Sequence, residues 1–215
     1  MNKSSDSKKD IAMERSFVMI KPDGVMRGLI GTILQRFEQR GLKIIALKLI
    51  EPTREQIDGH YPKEESWIDR LGEKTLSTFK EYKLDPKEIL GTDNQKELGA
   101  KVREWLLDYM TMGPVVCMVV EGVHSRGMIR KIVGATLPFF ADPGTIRGDF
   151  SVDASTAANT QNRSIFNLIH ASETEEEATN EIDHWFSPED LHEYYRTDDS
   201  IAYGDRRSED FTKKK

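Results

Sequence analysis

Short apolar runs alternate with helix-spaced apolar positions along most of the chain. Runs typical of β-strands lie at residues 16–20, 42–50, 115–120 and 165–169. Between them, apolar residues recur every three or four positions, which indicates amphipathic helices. This order of elements predicts an α+β fold: a ferredoxin-like α/β sandwich, with a four-stranded antiparallel sheet and helices on one face.

The two ends of the chain lack this pattern. Residues 1–13 and 205–215 are polar and highly charged, so we expect both to be disordered tails. Residues 14–204 are expected to form a single domain. Residues 137–164 contain several prolines and glycines, which predicts a long loop of the kind that usually has a function. A capping-box sequence at residues 172–175 predicts the start of the last main helix.

Composition places the chain among globular proteins, since 37% of its 215 residues are hydrophobic and 32% are charged. The longest apolar run is far shorter than the ~20 residues that cross a bilayer. The N-terminal residues contain no apolar signal segment, so we expect a cytoplasmic protein in which the single cysteine, Cys117, is a buried free thiol. The net charge of −6 opposes general attraction to polyanions, so we expect neither a membrane nor a stable nucleic-acid partner.

Both glycine-rich backbone motifs that commonly bind nucleotide phosphates are absent from the sequence. A phosphate site would therefore need side-chain cations. Lys21, Arg130 and Arg147 each lie close to a glycine or proline, where a fixed backbone can present the charge. Taken singly, each of them is weak evidence, and an ordinary surface cation beside a turn is the more usual explanation.

His170 differs from the other four histidines because it follows the apolar run at 165–169 and precedes a predicted helix start. Glu181 lies at the edge of the inward-facing stripe of that helix. A carboxylate that holds one imidazole nitrogen leaves the other free as a base or nucleophile. Spacing does not show that Glu181 reaches the ring, so a histidine that merely ends a strand remains an alternative.

Taken together, several blocks of this sequence resemble the nucleoside diphosphate kinase family. They occur in the family's order and lie at residues 20–24, 27–31, 60–61, 113–116, 143–150 and 167–173. The resemblance covers about residues 14–61 and 102–204. It implies reversible transfer of the γ-phosphate from a nucleoside triphosphate to a nucleoside diphosphate, by a ping-pong mechanism through a phosphohistidine at His170.

The resemblance also implies roles for the matching positions. Glu181 would hold the imidazole with Ser172 beside it, and Tyr61 would support the catalytic centre. The expected nucleotide-binding residues are Lys21, Val102, Leu106, Arg130, Thr136, Arg147 and Asn167. Val102 stands where the family commonly has a phenylalanine, so stacking on the base would be weaker. Mg²⁺ is expected to arrive on the nucleotide phosphates, with no protein ligands of its own.

The family usually forms homo-oligomers, and the resemblance therefore implies a tetramer or a hexamer. The loop at 137–164 would lie at the subunit interface, where the apolar residues 137–140 suit such a contact. Residues 62–100 are longer than the family's compact form requires. We expect them to be an inserted helical hairpin over the nucleotide cleft, acting as a lid or altering assembly.

Two other functions remain as alternatives at this point. One is a nucleotide sensor without catalysis, in which His170 only contacts phosphate. The other is a ferredoxin-like nucleic-acid-binding module, which should present a basic sheet face with exposed aromatic residues. The negative net charge argues against the second.

Overall fold

A four-stranded antiparallel sheet with the strand order β2-β3-β1-β4 forms the centre of the computed structural model. The structure describes residues 13–197 and 199, so nearly all of the expected tail at 1–13, and all of that at 205–215, lie outside the described residues. The strands are β1 (Met13–Ile20), β2 (Lys43–Ile50), β3 (Val115–Val123) and β4 (Ile169–Ala171). This order confirms the predicted α+β, ferredoxin-like sheet.

The prediction of the fourth strand was wrong in its position. A strand was expected at residues 165–169, whereas β4 begins only at Ile169. Leu168 has φ 67°, a left-handed conformation that an extended strand cannot contain. His170 therefore lies within the last strand, paired with Met19 of β1, instead of following it.

Ten α-helices are found among residues 13–197. They are α1 (Pro22–Met26), α2 (Ile30–Gln39), α3 (Arg54–His60), α4 (Glu65–Glu81), α5 (Pro86–Leu90), α6 (Gln95–Met110), α7 (Ser125–Val133), α8 (Ile146–Phe150), α9 (Ser155–Thr160) and α10 (Glu175–Trp185). The expected helix start at 172–175 is also shifted, because the cap is Thr174, whose side chain accepts a hydrogen bond from the Glu177 amide. Ser172 is thus free for another role. None of the described helices has the length and apolar character needed to cross a membrane.

Helices cover both faces of the sheet, which corrects the expectation of helices on one face. On one side, Val18 and Met118 pack with Ile33 of α2 and Ile129 of α7, the two crossover helices. This side is the arrangement that the sequence predicted.

The second face is covered by α3, α6 and α10, where Phe17 and Cys117 pack with Ile57, Leu107 and Ile182. The physical reason lies in β3, whose uninterrupted apolar run points side chains to both faces, so each face needs a cover. Cys117 is buried as expected, and burial raises the pKa of its thiol to about 12.

The expected helical segment at residues 62–100 is helical, and α4 packs against α6. The two helices approach closely at two glycines. A Cβ atom on Gly72 would lie 1.9 Å from the carbonyl oxygen of Gln95, and one on Gly99 would lie 2.1 Å from that of Ile68. These contacts show that the two helices run antiparallel at backbone contact distance.

The expected long loop at 137–164 is more ordered than predicted. It contains a 3₁₀ turn at Pro138–Phe140 and the short helices α8 and α9. Two ion pairs hold the middle of this segment, with Arg36 Nη2 2.6 Å from Asp149 Oδ2 and Arg163 Nη1 2.5 Å from Asp153 Oδ2. Local propensity did not show these contacts because their partners include residues distant in sequence.

Candidate functional site

One cavity, of about 1100 Å³, collects almost all of the residues that the sequence analysis selected. Every predicted site residue except Ser172 lines it: Lys21, Tyr61, Val102, Leu106, Arg130, Thr136, Arg147, Asn167, His170 and Glu181. These residues come from segments far apart in the chain. The cavity is therefore a product of the fold and not of one local motif.

A chain of hydrogen bonds fixes the His170 ring at the edge of this cavity. Glu181 on α10 holds His170 through Oε1, which lies 2.7 Å from Nε2. The other carboxylate oxygen, Oε2, accepts a hydrogen bond of 2.6 Å from the Ser172 hydroxyl. The Phe17 amide donates to the same hydroxyl at 3.2 Å. Glu181 therefore reaches the ring, and Ser172 acts behind it, outside the cavity lining.

This geometry distinguishes the two ring nitrogens of His170. An ionised carboxylate only accepts hydrogen bonds, so Nε2 carries the proton and Nδ1 keeps its lone pair. Among the described residues, no group bonds to Nδ1 of His170. The side chain is 22% exposed, which leaves the ring accessible from the cavity.

A second imidazole, that of His60, packs beside the first. The two ring centroids are 4.9 Å apart and nearly perpendicular. His60 is fully buried, its Nδ1 accepts a hydrogen bond from Trp185 Nε1 at 3.3 Å, and burial keeps its pKa well below the usual value. His60 is thus a neutral ring that supports the shape of the site.

The residues that could hold a metal ion are His60, His170 and Glu181, the single such group found in the described part of the chain. Two imidazoles and one carboxylate suit a transition metal better than Mg²⁺, which prefers a shell of oxygen ligands. Glu181 is also engaged by His170 and Ser172. The donor set therefore fits a Mg²⁺ ion brought on phosphate oxygens better than one held by a protein cage.

Lys21, Asn167 and Thr136 form a connected polar wall of the cavity. Lys21 Nζ donates to Asn167 Oδ1 at 2.8 Å, and Asn167 Nδ2 donates to the Thr136 carbonyl at 3.0 Å. Burial, reinforced by the nearby Arg147, lowers the pKa of Lys21 to about 7. Near neutral pH part of the Lys21 side chain is therefore an uncharged amine, which an entering anion would favour in its protonated form.

The two arginines of the site differ in how far they are available to a phosphate. Arg147 is buried and donates to three backbone carbonyls, those of Gly134, Asn167 and Ile169, at 2.6 to 3.1 Å. Burial lowers its pKa to about 10. A guanidinium has five N–H donors, so Arg147 braces the backbone and still presents charge to the cavity. Arg130 is 44% exposed and pairs with Glu173 at 3.2 Å, a contact that a phosphate can replace.

The far side of the cavity is apolar and aromatic. Val102 and Leu106 line it from α6, and Trp67 lines it from α4. The Tyr61 ring stacks on Trp67 with the centroids 6.3 Å apart, and the buried Tyr61 hydroxyl has no partner among the described residues. Burial raises the pKa of that hydroxyl.

Three contributors to the site were missed by sequence reasoning. Trp67, Asp23 and Tyr109 are not among the residues that the sequence predicted for the site. Asp23 belongs to the block at 20–24 that carried the resemblance, so a signal existed for it. Trp67 and Tyr109 lie in helical stretches where an aromatic residue is normally part of the core.

Comparison with known proteins decides the family. The family model for nucleoside diphosphate kinase matches residues 14–70 and 75–191. The chain belongs to the nucleoside diphosphate kinase family. A protein of that name from Pyrobaculum aerophilum is 44% identical over 179 residues, which is 83% of this chain and 98% of that protein. Its counterpart from Pyrococcus furiosus is 42% identical over 188 residues, covering 87% of this chain and 91% of the other.

Solved structures of the family agree. The crystal structure of an NDP kinase from Pyrobaculum aerophilum has a TM-score of 0.82 and 42% identity, and covers 85% of this chain and 100% of that one. The nucleoside-diphosphate kinase of Borrelia burgdorferi, in a transition-state mimic with bound vanadate and ADP, has a TM-score of 0.71 and 33% identity over 89% of this chain and 98% of that one. Family membership confirms the predicted nucleotide phosphotransferase.

The family match also bears on residues 62–100. The match to the family model is interrupted only at residues 71–74, inside α4, so most of residues 62–100 align with the nucleoside diphosphate kinase family. That residues 62–100 are an insertion relative to the compact form of the family stays a prediction, as does the lid role.

Proposed function

We propose that this nucleoside diphosphate kinase transfers the γ-phosphate through Nδ1 of His170. The observation that carries the proposal is the contact of Glu181 with Nε2, at 2.7 Å, on a ring that lines the cavity. Because Nε2 is held, Nδ1 is the nitrogen with an available lone pair. The site residues inferred from the sequence thereby acquire distinct chemical roles.

In the first half-reaction the Nδ1 lone pair attacks the γ-phosphorus, an N–P bond forms, and the bond to the bridging oxygen breaks. The nucleoside diphosphate leaves with the electron pair. The imidazole becomes cationic, and the Glu181 carboxylate stabilises that charge across the Nε2 hydrogen bond. A second nucleoside diphosphate then takes the phosphoryl group by the reverse steps, which is ping-pong transfer.

Neutralising the phosphate charge is the main task of the rest of the site. Lys21, Arg130 and Arg147 are among the cations that line the cavity, and Lys21 and Arg147 both bond to Asn167. Mg²⁺ bound to the phosphate oxygens would supply the remaining positive charge. These side chains orient the phosphates. Arg130 exchanges its ion pair with Glu173 for a contact with a phosphate.

The base would lie against Val102, Leu106 and Trp67. These side chains offer apolar and aromatic contacts with no hydrogen-bonding pattern that selects one base. A site that stacks a base without reading its edges accepts several bases. Trp67 supplies an aromatic surface in the cavity where Val102 lacks one.

Three features support the proposed assembly, location and partners. Phe139 and Phe140 are 68% and 61% exposed and pack edge to face, an apolar pair that suits burial in a homo-oligomer, whether tetramer or hexamer. The free thiol of Cys117 suits a reducing cytoplasm. The net charge of −6 supports the absence of stable nucleic-acid and membrane partners.

The test is to incubate the protein with a nucleoside triphosphate labelled on the γ-phosphate. We expect an acid-labile, base-stable label in the wild type and in His192→Ala, whose histidine is exposed and distant in sequence from the catalytic strand. His170→Ala should lose the label and the transfer activity. Label retained in His170→Ala refutes the nucleophile, and nucleotide binding without label in the wild type supports the sensor alternative.

A further inference from the structure

Leu168, two residues before His170, has the left-handed backbone conformation already noted, and its side chain is fully buried. Bulky residues rarely adopt φ near 67°, because the Cβ atom crowds the following carbonyl oxygen. Such a conformation persists only where the surroundings determine it from several sides. The contacts around Leu168 must therefore stabilise a backbone conformation that leucine by itself disfavours.

The backbone of this turn is bonded at each of its polar groups. The Leu168 amide donates to Asp23 Oδ2 at 3.1 Å, and the Leu168 carbonyl accepts from the Lys21 amide at 2.8 Å. On either side, Arg147 donates to the carbonyls of Asn167 and Ile169 at 3.1 and 2.6 Å. The turn is thus held by the same segment that carries the cavity lysine.

Asp23 is itself held in place by Tyr109. The Tyr109 hydroxyl donates to Asp23 Oδ1 at 2.6 Å and accepts from the Asn167 amide at 3.4 Å. Burial, with the Asp23 charge beside it, raises the pKa of Tyr109 well above its usual value, so the hydroxyl remains a donor at working pH. Neither Asp23 nor Tyr109 is among the residues that line the cavity.

We propose that Asp23 and Tyr109 are a positioning pair, which holds Leu168 in its left-handed conformation and thereby places His170 for attack. The pair touches no substrate and acts through the turn. This inference rests on the proposed role of His170 as the nucleophile.

The pair also connects the nucleophile to the cation. Lys21 contacts the turn twice, through its backbone amide to Leu168 and through Nζ to Asn167 Oδ1 at 2.8 Å. If Leu168 relaxes to a negative φ, both His170 and Lys21 move relative to a bound phosphate. Misplacement of reacting groups by about 1 Å costs about 100-fold in rate, so the effect falls on the chemical step.

The first test is Tyr109→Phe, which removes one hydroxyl and keeps the ring against Phe166. The matched control is Tyr194→Phe, which removes a tyrosine hydrogen bond to the Ile44 carbonyl on the edge strand. In single turnover we expect Tyr109→Phe to lower the rate of His170 phosphorylation about tenfold or more. The dissociation constant for the nucleoside diphosphate should change by less than about threefold, because binding depends less on the position of the turn than the chemical step does.

A role in general stability alone predicts a different result. Tyr109→Phe would then lower the unfolding midpoint as Tyr194→Phe does and leave the phosphorylation rate unchanged, which would overturn the proposal. His170→Ala is run in parallel. Label retained in that variant refutes the nucleophile, whereas loss of label there together with a normal rate in Tyr109→Phe refutes the positioning pair only.

The second test asks whether the conformation of Leu168 is what the pair maintains. In the Tyr109→Phe background, Leu168→Gly and Leu168→Ala both remove the buried side chain, but only glycine adopts a positive φ without cost. We expect the glycine variant to phosphorylate several-fold faster than the alanine variant. Equal rates in two folded variants would contradict the proposal.

A third variant decides the question if the Leu168 substitutions prevent folding. Asp23→Asn keeps the shape of the side chain and removes its charge. Because Asp23 and Tyr109 act as one unit, the double variant Asp23→Asn/Tyr109→Phe should be no slower than the slower single variant. Multiplicative losses in rate would show two independent residues and would overturn the pair.

Discussion

Lys21 shows how one buried residue links the protonation state of the site to its occupancy. Burial, together with Arg147, lowers its pKa to about 7, whereas an exposed lysine titrates near 10.5. Between these two pH values the unfolded chain binds a proton that the folded chain does not. The free energy of unfolding therefore rises with pH across this window, by at most about 1.4 kcal/mol per pH unit from this residue.

A nucleotide should reverse the effect, because phosphate charge favours the protonated ammonium group. At pH 8 we expect nucleotide binding to take up as much as about one proton per site. Titration calorimetry in two buffers of different ionisation enthalpy measures this uptake. In Lys21→Met the uptake should fall by the share that Lys21 contributes. An uptake equal to that of the wild type would show that Lys21 is already charged in the empty site.

At the scale of elements, the contact between α4 and α6 determines the apolar side of the cavity. Gly99 lies on α6, three residues before Val102, and touches the backbone of Ile68 on α4. A larger residue there must push the helices apart. The same displacement would move Val102 and Leu106 away from Trp67.

We therefore expect Gly99→Ala to destabilise the protein by about 1 to 3 kcal/mol, the usual cost of overpacking, and to raise the KM for nucleotides. The control is Gly127→Ala in α7, where a Cβ would meet no atom of the described part of the chain within 4 Å. That substitution should stabilise the helix by up to about 1 kcal/mol. Urea denaturation measures both. If Gly99→Ala is as stable as the control, the two helices do not pack as closely as the structure indicates.

Elements of the fold could be predicted from sequence where local pattern determines them. The first three strands follow from runs of apolar residues, and their prediction was confirmed. The fourth failed because the turn at Leu168 depends on bonds from Lys21, Asp23 and Arg147, which no local pattern contains. The helices on the second face of the sheet were missed for a similar reason, because local sequence does not show which helices pack against the sheet.

In the candidate site too, local sequence predicted some residues, and others became recognisable only from the folded structure. Lys21, Arg147 and His170 lie in the family blocks. Arg130 and Glu181 lie outside them, and were predicted from a cation beside a turn and from a position on the last main helix. Ser172 was expected beside His170, and its hydroxyl meets the far oxygen of Glu181 and not the cavity. Trp67 and Tyr109 could not be recognised, because an aromatic residue on a helix reads as core until the neighbouring elements are known.

At the scale of the whole molecule, exposed apolar residues indicate where copies of the chain can meet. Phe139 and Phe140 are exposed on the segment that the resemblance placed at a subunit interface. Leu47 and Leu49 are 51% and 62% exposed on the edge strand β2. An edge strand and an exposed apolar pair are features that assembly normally covers.

We expect the wild type to behave as a homo-oligomer in light scattering. Replacing the pair by serine, Phe139→Ser/Phe140→Ser, should lower the molar mass, because the interface loses its apolar contacts. Phosphorylation of His170 should survive in the smaller species if the cavity is complete within one chain. An unchanged molar mass would show that these two side chains lie outside the subunit contacts.

The buried position of Cys117 makes its thiol a probe for opening of the sheet. The only sulfhydryl of the chain lies on a central strand, sealed from solvent and with a pKa of about 12. An alkylating reagent can modify it only after the sheet has come apart. The rate of Cys117 alkylation in a native sample therefore measures how often the sheet opens. A substrate that binds the folded form should slow the alkylation, and the degree of slowing measures its affinity.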